Sequence, residues 1–270
     1  MSVILKDIMD IMENIAPARF KESYDNVGLM LGDKNAAISS VLFTLDCTLE
    51  VIKEAIDKNC ELIIAHHPIL FLKPSNINED TLIGKKLRML IKNDINVYAS
   101  HTNLDSVKNG LNDIVMKLLK YEAAEIMEVS GEDKNGDAVG VGRIYKLPKA
   151  KSLKEVIEDC QKAFGMQHLR YSGEPDWEIT KAAVINGSGE DYFSLAKKMG
   201  ADCIITGDTS YHHVSDFFEE KIAVIDAGHF DTEWPAMKYF GREFEKIAKE
   251  RAMDLKVLIS EKNKSPYNFL

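Results

Sequence analysis

The sequence predicts an α/β protein made of two successive α/β halves. Short β-branched runs alternate with helix-length amphipathic stretches along most of the chain, which is the pattern of parallel sheets with crossover helices. One polar, glycine-containing stretch near the middle, 128–137, interrupts the alternation. The chain also has the bulk for such a fold. With 270 residues, 45% hydrophobic and 29% charged, it can bury a core without disulfides or a structural ion.

In chain order, apolar residues at 4, 5, 8, 11, 12 and 15 recur at helix spacing and predict an amphipathic N-terminal helix. The segment Asp25-Asn26-Val27-Gly28-Leu29 reads as a turn running into a strand. Strands are predicted at 39–44 (SSVLFT), 61–65 (ELIIA) and 95–100 (INVYAS), with helices near 48–59, 80–93 and 106–120. After the loop at 128–137 come a strand at 138–146, a helix at 152–164 and a looser segment at 165–178. Alternation then resumes with strands at 181–185, 201–206 and 221–226 and helices at 189–199 and 210–220. A long helix near 231–250 and a last strand at 256–260 close the chain. Pattern alone leaves open whether that last helix packs on the second half or returns to the first.

Composition narrows the function. The net charge of -9 argues against sequence-independent nucleic-acid binding, which needs a basic footprint, but not against a small anionic substrate. No run reaches the roughly 18–20 apolar residues of a membrane span. The first twenty residues carry Asp7, Asp10 and Glu13 among their apolar positions, unlike a signal peptide. Cys47, Cys60, Cys160 and Cys203 form no CxxC pair and read as reduced, buried thiols of a cytoplasmic protein.

The histidines carry the chemistry. His66 and His67 follow one predicted strand, His101 another, His212 and His213 a third and His229 a fourth; only His168 stands apart. Ligands of open α/β sheets bind outside the carboxyl ends of strands, where these residues fall. Imidazole and carboxylate without thiolate suit iron, zinc, manganese or nickel. His229 and Glu233 are spaced i, i+4 and share a face if a helix starts there. His101 and Asp105 have the same spacing, although Asn103 makes a turn an equal reading. Adjacent His66 and His67 can converge only where the strand has ended, and Pro68 favours that ending. Adjacent histidines with several carboxylates suit two ions better than one, with Asp105 or Glu233 available to bridge. Asp25 is available as an outer acid. The Asn186-Gly187-Ser188-Gly189 turn lacks phosphate-loop spacing and reads first as a plain turn, second as an anion cradle. His212 and His213 read first as lying on a helix behind the site and second as direct ligands.

The early segment DNVGLMLGD and then AHHPILF, SHTNLD, TGDTSYHH and GHFDTEW, in that order over about residues 1–260, resemble the Nif-three-like family, also named the GTP cyclohydrolase 1 type 2 or dinuclear metal centre family. The resemblance implies two interlinked α/β domains with the metal site at the carboxyl ends of strands between them. These are a first domain, 1–127, completed by 228–270, and a second, 128–227. It implies two ions per chain held by His66, His67, Asp105, His229 and Glu233, with His101 lining the site. The ligand chemistry accepts iron, zinc or manganese, and His101 is expected to act as a proton shuttle or an outer orienter. The resemblance also implies a toroidal homohexamer. The function expected is hydrolysis of a nucleotide or phosphorylated small molecule by metal-activated water. The competing expectation is a non-catalytic metal-binding scaffold or regulatory protein acting through the ring. Neither a membrane nor a nucleic acid is an expected partner. SYDNVG has tyrosine where many members have tryptophan, a departure that does not touch the ligands.

Overall fold

A computed structural model describes residues 3–268. Residues 1–2 and 269–270, which fall in the span predicted for the first domain, lie outside the described residues. The order of elements is α1 (Leu5–Ile15), β1 (Gly28–Leu31), β2 (Ser40–Thr44), α2 (Leu49–Asp57), β3 (Leu62–Ala65), α3 (Leu82–Lys92), β4 (Asn96–Ala99), α4 (Thr102–Ser106), α5 (Leu111–Leu119), β5 (Glu125–Glu132), β6 (Ala138–Ser152), α6 (Leu153–Phe164), β7 (Arg170–Ser172), β8 (Glu178–Ser188), α7 (Phe193–Lys198), β9 (Cys203–Gly207), α8 (Tyr211–Glu219), β10 (Ala223–Asp226), α9 (His229–Glu250) and β11 (Lys256–Ile259). The described residues form two compact units. One extends to Leu104 and takes up Met237–Lys264; the other comprises Asp105–Ala236 and the residues from Ser265 onward.

The first unit is built on a sheet of order β1-β4-β3-β2-β11. β11, β2, β3 and β4 run parallel, and β1 closes the edge antiparallel to β4. Every residue of β2, β3 and β4 is buried, as expected of parallel strands covered on both faces. Leu42, Ile63 and Val97 pack with Val51 and Ile52 of α2 and Leu90 of α3. Each such side chain contributes about 1.5–3 kcal/mol on burial. Hydroxyl caps set the helix starts: Thr48 accepts from the Val51 amide at 3.2 Å and Thr81 from the Gly84 amide at 3.1 Å. Phe43 lies against Phe240 and Phe244 of α9. α9 comes so close there that a Cβ on Gly241 would sit 2.4 Å from Ile259.

The second unit holds a sheet of order β5-β6-β8-β9-β10-β7. β8, β9 and β10 are parallel; β5, β6 and β7 pair antiparallel with their neighbours. Its core joins Ile185, Ile204 and Val224 of the sheet to Phe193 and Ala196 of α7 and Phe217 of α8. The helix expected at 106–120 is found as α5, which starts only at Leu111, after a turn with Asn109 left-handed (φ 60°); the short α4 precedes it, over the segment where a turn and a helix are equal readings. β5 occupies part of the polar stretch expected to be a loop. It is an edge strand whose residues are mostly exposed, so its pairing with β6, not burial, defines it. β7, in the segment expected to be loose, is a three-residue edge strand of the same kind. No helix among the described residues is long and apolar enough to cross a membrane.

Candidate metal centre

In the first unit the site is assembled where β2, β3 and β4 end together. β3 stops at Ala65, and the next two amides still find the neighbouring chain: His66 donates to the Thr44 carbonyl at 3.2 Å and His67 to the Leu45 carbonyl at 3.0 Å. Past the strand the backbone no longer alternates faces, so both rings turn to one side, with centroids 5.2 Å apart. The ring of His101, just beyond β4, completes the group at 5.0 Å from His66 and 5.5 Å from His67. One ring nitrogen from each of the three lies within 4.8 Å of the other two, close enough to hold a metal ion. His66 is fully buried; His67 and His101 are partly exposed.

The orientation of each ring is set from behind. His66 Nδ1 faces the Ser100 carbonyl at 2.9 Å, His67 Nδ1 faces Asp46 at 2.8 Å and His101 Nδ1 faces Asp25 at 2.8 Å. Carbonyl and carboxylate oxygens only accept, so Nδ1 carries the proton. In the neutral ring Nε2 then presents its lone pair, as metal-binding histidines do. Burial pushes the Asp25 carboxyl up, but hydrogen bonds from His101 and Thr102 outweigh it and hold the group well below the usual carboxylate range. Asp25 thus stays charged. Asn103 fixes the same turn, accepting from the His101 amide at 2.9 Å and donating to the Ala16 carbonyl at 2.7 Å.

The second unit carries a matching group at the ends of β8, β9 and β10. α9 begins at His229, so His229 and Glu233 stand one turn apart, with Nε2 3.1 Å from Oε2. His229 Nδ1 faces Asp208 at 2.6 Å, which repeats the carboxylate–histidine arrangement of the first unit. Asn186 donates to Asp105 at 3.2 Å and, more weakly, toward Glu233 at 3.5 Å. Two glycines leave room for the group. A Cβ on Gly187 would meet Glu233 Oε1 at 2.3 Å, and one on Gly207 would meet the His229 amide nitrogen at 2.5 Å. A buried carboxylate beside an imidazole, a second carboxylate and an amide is a donor set that fits a divalent cation of the iron, zinc or manganese type.

Of the residues singled out in the sequence, His66, His67 and His101 meet in the first unit. Asp105, His229, Glu233 and Asn186 meet in the second. His212 and His213 lie on α8 and are exposed; His213 pairs with Glu190 at 2.9 Å. His168 is exposed before β7. Asp46, Asp208 and Asn186 were not identified as supports for the ligands. Asp46 and Asp208 stand one or two residues past a strand, where the histidines also fall. The four cysteines are buried and free, and burial pushes the Cys47 thiol up to about 12, so no thiolate ligand is at hand.

Fold and side-chain groups together define an α/β protein whose histidine and carboxylate clusters could hold a metal ion. The chain belongs to the Duf34/NIF3 (NGG1p interacting factor 3) family, whose pattern it matches over residues 3–266. It is 50% identical to a protein named GTP cyclohydrolase 1 type 2 homolog from Clostridium acetobutylicum, covering 100% of both chains. A Clostridium perfringens protein of the same name is 47% identical, over 98% of this chain and 99% of that one. Among solved structures, a Bacillus cereus protein related to NIF3 superposes with a TM-score of 0.93 at 23% identity, covering 100% of this chain and 99% of that one, a likeness of fold. Reduced HcgD from Methanocaldococcus jannaschii superposes with a TM-score of 0.80 at 29% identity, covering 97% and 99%.

Proposed function

We propose that the protein is a cytoplasmic hydrolase that uses two divalent ions, iron, zinc or manganese, on a nucleotide or phosphorylated small molecule. The observation that carries this reading is the shared orientation of four histidines. His66, His67, His101 and His229 each turn Nδ1 onto an acceptor and so present Nε2. Histidines that bind metal almost always hold their other ring nitrogen in this way, and here four such rings stand just past strand ends. The ions are assigned to His66, His67, Asp105, His229 and Glu233. When bound, they would polarise the electrophile and activate a water molecule for attack at neutral pH.

The protein's own groups have separable roles. Asp46 and Asp208 hold His67 and His229 in the tautomer that binds metal. His101, backed by the charged Asp25, takes and returns a proton at Nε2. Asn186 steers Asp105 by donating to Oδ1. The name shared by the clostridial relatives makes GTP the first substrate to try. A homohexamer is the assembly expected from the family resemblance.

The test combines metal analysis of the purified protein with a turnover screen on GTP, other nucleotides and phosphoesters, and with its mass in solution. Expected are two ions per chain, a hexamer, metal-dependent turnover abolished in His67→Ala, and loss of both ions in Asp105→Ala. Full loading with no turnover on any of these compounds would replace the hydrolase by a metal-binding scaffold. Retention of two ions by Asp105→Ala would remove Asp105 from the bridging position.

A further inference from the structure

The second unit contains a cavity of about 640 Å³ that no metal ligand lines. It opens between the edge strand β7, the loop after β9 and the first turns of α8. Its volume is in the range of small-molecule pockets. Three of its walls are aromatic side chains left open to solvent: Tyr171 is 47% exposed, Tyr211 79% and Phe218 41%. Phe218 is held flat from behind by Trp177, whose ring stacks on it at 5.6 Å and 23°. Exposed rings around one concavity are costly to leave in water and favour a flat apolar occupant.

The polar side of the cavity says which occupant. The Arg170 guanidinium is paired with Asp226. Asp226 is itself buried and further held by the Thr209 hydroxyl at 2.6 Å and the Gly228 amide at 3.1 Å. The pair is neutral as a whole, so the cavity offers N–H donors and hydroxyls without a net positive charge. That suits the hydrogen-bonding edge of an uncharged ring better than a phosphate, which needs uncompensated cations. The same residues adjoin the candidate metal group in sequence: Asp226 lies three residues before His229, and Thr209 follows Asp208, which orients His229.

We propose that this cavity is a recognition pocket for a planar heteroaromatic ring of the nucleobase class, stacked among Tyr171, Tyr211 and Phe218 with its polar edge toward Arg170. The proposal deepens the reading of the protein as one that acts on a nucleotide-like substrate, and rests on it for the identity of the ring.

The experiment is calorimetric titration of the metal-loaded protein with guanosine, and with ribose 5-phosphate as a probe lacking the ring. Quenching of Trp177 fluorescence, absent in Trp177→Phe, locates the event. Saturable guanosine binding is expected. It should weaken by about 10-fold or more in Tyr171→Ala and Tyr211→Ala, the order of effect of removing one stacking ring. Both tyrosines are exposed, so the variants should fold; thermal melts check this. Ribose 5-phosphate should neither bind here nor displace guanosine. Equal displacement by ribose 5-phosphate overturns the proposal, as does guanosine affinity unchanged in both tyrosine variants. Absence of guanosine binding while Tyr211→Ala alters only the oligomeric state also overturns it and assigns the rings to a neighbouring copy. The two readings fail separately. Turnover with KM unchanged in both variants removes the pocket and leaves the hydrolase. Ring binding without metal-dependent turnover removes the hydrolase and leaves the pocket.

Discussion

Asp208 offers the sharpest test of how the ligand groups are built. Its carboxylate accepts from His229 Nδ1 at 2.6 Å and is 48% exposed, so it adds little to folding. Its effect falls on the ring. Without it, Nδ1 loses its acceptor and the ring can place its proton on Nε2, the nitrogen needed for metal, toward Glu233 Oε2 at 3.1 Å. Outer supports of this kind are worth about 10–100-fold in metal affinity, or about 1.4–2.7 kcal/mol. Asp208→Ala is expected to weaken binding by that amount. Asp208 is left-handed (φ 49°), a conformation that alanine tolerates less well, so Asp208→Asn is the companion variant. Asparagine accepts the conformation and keeps an acceptor for Nδ1 but no charge, and should lose only a few-fold. The assay is competition with a chromophoric chelator for zinc and manganese, beside melts of the metal-free proteins. Affinity within about twofold of the parent in Asp208→Ala for both metals, with an unchanged melt, would refute the orienting role.

Two further outcomes are expected. Glu54, buried in the first unit, accepts from Lys58 at 2.8 Å, the Ser260 hydroxyl at 2.5 Å and the Glu261 amide at 2.9 Å. Burial pushes its carboxyl up, but these bonds outweigh it and set the folded pKa below the ordinary value. Its contribution is therefore present above the unfolded pKa, about 4.3, and lost as pH falls through the lower folded value. Glu54→Gln should cost about 1–3 kcal/mol at pH 7, with the gap closing below pH ~4 in urea titrations; a gap that is constant with pH would contradict this. Gly187→Ala places a Cβ 2.3 Å from Glu233 Oε1 at a left-handed position (φ 66°). It should lower the melting temperature of the metal-free protein and weaken manganese binding together; unchanged manganese affinity would separate Gly187 from the ligand group.

Much of the fold was legible because buried parallel strands are short, continuous apolar runs, and β2, β3, β4, β9 and β10 all appear at the expected places. β5 and β7 were not legible. Edge strands are defined by backbone pairing with a neighbour, which leaves no apolar signature. The late start of α5 was not legible because the apolar spacing runs on through the left-handed Asn109. At the ligand groups, residue type and position after strand ends were enough to single out His66, His67, His101, Asp105, His229 and Glu233. The supports Asp46 and Asp208 were overlooked, since an aspartate after a strand is an ordinary turn former.

Sequence by itself determined the alternating α/β architecture, the metal-suited chemistry of the histidine and carboxylate motifs, and the family. Tertiary structure decided which nitrogen each histidine presents. That depends on an acceptor tens of residues away, Asp46 for His67, Asp25 for His101 and Asp208 for His229, delivered by neighbouring strands that end at the same level. Sheet pairing sets that distance, and no local pattern in the chain encodes it.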